Sequence, residues 1–118
     1  MNDEMKAALL EDVAKCWMLP EKWEAFSKAL VDVVERDMAK YQRCKLYVDY
    51  DPEDSLLEAV QAADIECRGC MDSARGIFKF RKVGWRVEPE RIQVKMGYGT
   101  GWVEMWPEKS PELAEASA

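Results

Sequence analysis

Between residues 5 and 41 apolar side chains recur every three or four positions, whereas after Gly76 they recur every second position, so the chain is expected to pass from helix to strand. Met5, Leu9, Val13, Cys16 and Trp17 share one helical face, behind an Asn2 able to cap the helix and an Asp3 and Glu4 suited to its positive end. That helix should stop before Pro20. Pro20 suits the first turn of a second helix, in which Trp23, Phe26, Leu30, Val33, Val34, Met38 and Tyr41 make a long inward stripe. The short connection predicts an angled or antiparallel helix pair, its outward faces carrying most of the acidic charge.

Residues 44–50 alternate Leu46, Val48 and Tyr50 against Tyr47 and Asp49, which predicts a short strand. Asp51 then caps a third helix with Pro52 at its first position; Leu56, Leu57, Val60, Ala63 and Cys67 face inward, and Gly69 ends it. Phe78 and Phe80 alternate with Lys79 and Arg81, after which Val83, Trp85 and Val87 alternate in the opposite phase, implying a bulge or turn near residues 82–84. Glu88-Pro89-Glu90 reads as a tight turn into Ile92, Val94 and Met96. The glycines at 97, 99 and 101 form a second turn into the strand Trp102–Trp106. The expected fold is α+β, in the order α-α-β-α followed by three or four strands of an antiparallel meander, with the helices on one sheet face. Residues 1–106 make one domain and 107–118 a flexible tail.

Charge changes the picture, because residues 1–66 hold 8 Lys+Arg against 16 Asp+Glu and residues 67–106 hold 8 against 4. An acidic helical layer should therefore lie beside a basic, aromatic-rich β layer. With 118 residues the chain closes one core, and a second copy would help cover five Trp and seven Met, so a homodimer is expected. The start of the chain lacks the pattern of a signal peptide, and no stretch reaches the apolar length of a membrane span; a cytoplasmic protein with reduced cysteines is expected. A net charge of −6 makes nucleic acid an unfavoured partner, since duplex binding neutralises many phosphates.

Candidate chemistry is sparse. Cys67 and Cys70 are spaced as a thiol or metal-binding pair, but the chain has no His and no second such pair, and the motif closes a helix instead of opening one. The glycines of 97–101 lead into a strand where a phosphate loop would lead into a helix. Asp49, Asp51, Glu53 and Asp54 lack the glycine and the final Glu of a calcium loop and read as capping residues. No metal or cofactor is expected. The acidic helices could imitate a nucleic-acid backbone, although a solvated amphipathic face accounts for them.

The basic and aromatic strands are the most suggestive surface. Lys79, Arg81, Lys82, Arg86, Arg91 and Lys95 accompany the aromatics, with the cations expected on the wet face and most of the rings in the core. Trp85, Arg86, Arg91, Tyr98, Trp102 and Trp106 are the candidate binding residues. The function expected from these features is non-catalytic binding of an unknown protein or small molecule, with self-association. A thiol redox or metal protein using Cys67 and Cys70 is one alternative, and single-stranded nucleic-acid binding by the basic aromatic sheet is another.

Overall fold

The computed structural model describes residues 1–48, 55–65, 77–78, 82–97 and 99–113. Helix α1 spans Asp3–Ala14, a 3₁₀ turn Pro20–Lys22, α2 Trp23–Tyr41, strand β1 Cys44–Tyr47, α3 Ser55–Ala62, β2 Gly84–Glu88, β3 Arg91–Lys95 and β4 Trp102–Trp106. The expected cap forms: Asn2 Oδ1 accepts from the Met5 amide at 2.8 Å. The four strands make an antiparallel sheet in the order β1-β2-β3-β4, and all three helices pack against it, so the fold is α+β as the change of period implies. Among the described residues no helix is long and apolar enough to cross a membrane.

Strand alternation sends Cys44, Leu46, Trp85, Val87, Ile92 and Val94 into the core, each at most 2% exposed. Trp17 stacks on Phe26 with centroids 4.0 Å apart, and Phe78 meets Trp17 edge-on at 5.4 Å, so the first two helices are tied to the core by rings. The described Trp side chains are all buried or half-buried within one chain. Trp17 and Trp85 are covered by the chain's own packing, whereas Trp23, Trp102 and Trp106 keep part of their surface exposed.

Four local expectations are corrected. The third helix ends at Ala62, because Asp64 takes a left-handed φ of 57° and the Ile65 amide returns to the Val60 carbonyl, closing a Schellman turn ahead of Gly69. Phe78 makes an isolated antiparallel bridge to Trp17, with the Met18 amide donating to Ile77, so it belongs to the helical side and not to the sheet. Lys82 is buried, for a reason given below. Residues 107–113 are no loose tail: after a cis Trp106–Pro107 bond the Ser110 amide donates to Glu104 and Leu113 is 1% exposed within the core. One apolar residue among polar neighbours gives no periodicity, so its burial left no pattern to read. Leu113→Ala is expected to cost about 2–5 kcal/mol in urea unfolding, the range for truncating a buried Leu; no change would place Leu113 outside the core.

The expectations that rest on Tyr50, Asp51, Pro52, Cys67, Gly69, Cys70, Lys79, Phe80, Arg81 and Tyr98 lie outside the described residues.

Candidate anion-binding cleft

Of the sequence-selected binding residues, Trp85 is fully buried and donates its indole N–H to Asp12 Oδ2 at 2.7 Å, so it is core and cannot meet a partner. Asp12 lies on the inward face of α1, and its other oxygen accepts from the buried Lys82 ammonium. That pairing explains why a lysine expected on the wet face is inside: a buried ammonium persists only beside a buried carboxylate.

Of the remaining candidates, Arg86, Arg91 and Trp102 lie on the outer sheet face. Arg86 and Gln93 are cross-strand partners joined by a hydrogen bond of 2.8 Å, Gln93 donates to Glu104 at 2.8 Å, and Arg91 pairs with Glu104. Arg91 holds the Glu104 carboxyl below its ordinary pKa, with Gln93 adding to the effect. Trp102 is half-buried on β4, with the Arg86 guanidinium 4.8 Å and the Lys95 ammonium 5.9 Å from its centroid and the Tyr47 ring 5.9 Å away. Gly84 permits this approach: a Cβ there would stand 2.9 Å from the Leu46 carbonyl and 3.1 Å from the Tyr47 ring. A bulge between Ile92 and Gln93 turns Trp106 toward the core edge, away from this cluster.

A second grouping was not anticipated. Helix α2 ends where Gln42 adopts a left-handed φ of 56° and its amide returns to Met38, which reverses the chain into β1. The reversal brings Arg43 and Lys45 beside Arg36 and Lys40 of the last turns of α2. Together with Asp37, Tyr41, Ser55 and Glu58 they line a cleft of about 670 Å³. Tyr41, expected in the inward stripe, is instead 63% exposed at its mouth, with Lys40 5.2 Å from its ring.

The cleft floor is a closed polar network. Asp37 Oδ2 accepts from the Ser55 hydroxyl at 2.6 Å and from the Cys44 thiol at 3.4 Å, and Oδ1 accepts from Arg36 Nη2 at 2.9 Å. Burial alone would raise the Asp37 pKa, yet the hydrogen bonds from Ser55, Arg36 and Cys44 outweigh it and hold the carboxyl below its ordinary value. Arg36 also grips both oxygens of Glu58, and these bonds, to Glu58 first and then Asp37, raise its own pKa. Both acids of the cleft are therefore answered by Arg36. Among the described residues Lys40, Arg43 and Lys45 enter no ion pair and face solvent.

Alternation along α2 offered one usable sign of this site: Asp37 continues the inward series Phe26, Leu30, Val33 and Val34, where an acid needs partners. The cations around it come from two elements, and only the left-handed Gln42 joins them. No protein-family model, curated protein or solved structure matches the chain.

Proposed function

We propose that this protein is a non-catalytic binding module whose cationic cleft between α2, α3 and β1 holds an anionic partner. The observation that carries the reading is the concentration of Lys40, Arg43 and Lys45, beside an Arg36 already engaged by Asp37 and Glu58, in one cleft of a chain whose net charge is −6. The cations of the cleft attract anions locally, against the net negative charge of the rest of the chain. Its volume falls within the range of small-molecule sites, and its walls present ammonium and guanidinium donors suited to phosphate or carboxylate oxygens. Asp37 and Ser55 make a poor catalytic pair, because a carboxylate held below its ordinary pKa by three donors is a weak proton acceptor.

Tripolyphosphate is a suitable probe. Calorimetric titration at low salt is expected to show saturable binding that weakens about tenfold or more in Lys40→Glu/Arg43→Glu, since each reversal replaces attraction by repulsion. Lys109→Glu, an exposed charge elsewhere, should leave the affinity unchanged. Equal binding by the wild type and the double variant would refute the cleft as the site.

A further inference from the structure

The geometry points to single-stranded nucleic acid as the occupant, with phosphates met by Lys40, Arg43 and Lys45 and bases stacked on Tyr41 and on the Trp102–Arg86 pair of the outer sheet face. This rests on the anion-binding reading of the cleft and assigns its partner class.

Lys45 is the joint of the argument. It lines the cleft, and it also stands on the outer sheet face, exposed between the buried Cys44 and Leu46. Its cross-strand partner is Arg86, and Arg86 lies over Trp102 at 4.8 Å. Cations and rings thus continue from the cleft to the far edge strand, a distance of about 14 Å across three strand spacings. A small phosphate ester would occupy the cleft alone and leave that continuation unused, whereas a strand of several nucleotides follows it. Rings and guanidinium planes interleaved with phosphate-binding cations are the equipment of sequence-tolerant single-strand binding. An acidic peptide would use the cations but has no flat bases to set against the 63% exposed Tyr41 ring.

Duplex is disfavoured by the same layout. The cations form one narrow stripe on a chain with 23 acidic residues against 17 basic, and a rigid double helix would bring its second strand against the acidic remainder. This also reconciles the partner with the unfavourable net charge, because a flexible single strand needs only the stripe.

Fluorescence anisotropy of a labelled octathymidylate with the full chain tests the assignment, with a hairpin duplex, thymidine monophosphate and hexaglutamate as competitors and tripolyphosphate titrated in parallel. Binding should weaken with salt at a log–log slope of about −2, the value for three phosphates met by Lys40, Arg43 and Lys45 on a single strand. Tyr41→Ala should weaken it about tenfold and Tyr41→Phe hardly at all, because stacking needs the ring and not the hydroxyl. Arg86→Glu should weaken the octamer several-fold more than it weakens tripolyphosphate, because Arg86 stands one strand beyond the cleft-lining Lys45. Competition by the duplex, the mononucleotide or hexaglutamate as strong as by unlabelled octamer would overturn the single-strand assignment, as would indifference to Tyr41→Ala. Tripolyphosphate binding without octamer binding would overturn this inference and leave the cleft standing; binding of neither would overturn both.

Discussion

Asp12→Ala is expected to destabilise the fold by about 3–5 kcal/mol, the largest effect of any single polar substitution among the described residues. The Asp12 carboxylate is the shared acceptor of the Lys82 ammonium and the Trp85 indole N–H, and the Lys82 and Asp12 side chains are 8% and 6% exposed. Removing it leaves a buried charge and a buried donor without an acceptor, which costs far more than the pair contributes. The double variant Asp12→Ala/Lys82→Met separates these terms: with the ammonium gone, about 2 kcal/mol should be recovered, leaving about 1–3 kcal/mol for the orphaned indole N–H and the vacated space. Urea unfolding followed by Trp fluorescence measures both. A single-variant loss below about 1 kcal/mol would mean that Lys82 reaches water when Asp12 is removed.

The second large effect belongs to Asp37, where Asp37→Ala is expected to cost about 3 kcal/mol. Three elements lose their common acceptor: α2 through Arg36, α3 through Ser55 and β1 through Cys44. Ser55→Ala removes one donor and should cost only about 1 kcal/mol. The pH dependence has a definite sign. The Asp37 pKa is lower in the folded chain than in the unfolded one, where a carboxyl titrates near about 4. Its contribution is therefore complete above that value and is lost as the pH falls through the folded value. The stability curves of wild type and Asp37→Ala should run parallel at neutral pH and converge in acid below about pH 4. A gap that persists undiminished in acid would show that the cost is one of packing and not of charge.

The two carboxylates also show what a sequence can disclose about such a fold. Helix and strand periods place the layers correctly because burial of one face is a property of each element alone. The capping Asn2 and the hairpin at Pro89-Glu90 were legible for the same reason, being local chemistry; Glu90 takes the left-handed φ of 63° that a two-residue connection requires. Asp12 and Asp37 sit on apolar helical faces and were hidden among sixteen acids of residues 1–66, because their partners lie 70 and 18 residues away along the chain. Trp85 and Trp102 are both strand aromatics in a basic context, and their opposite fates follow from strand phase against the sheet: Trp85 faces the helices, and Trp102 lies on the outer face beside Arg86 and Tyr47. Beyond the inward position of Asp37 the cleft was not legible, since it depends on Gln42 adopting a conformation usually taken by Gly or Asn.

Amide chemical-shift mapping of the isotope-labelled chain with tripolyphosphate tests the cleft most directly. The account predicts saturable shifts centred on Arg36, Lys40, Tyr41, Arg43 and Lys45, abolished in Lys40→Glu/Arg43→Glu while the rest of the spectrum keeps its native dispersion. Saturable shifts centred on α1 or on β4, or an unperturbed spectrum at millimolar probe, would contradict it.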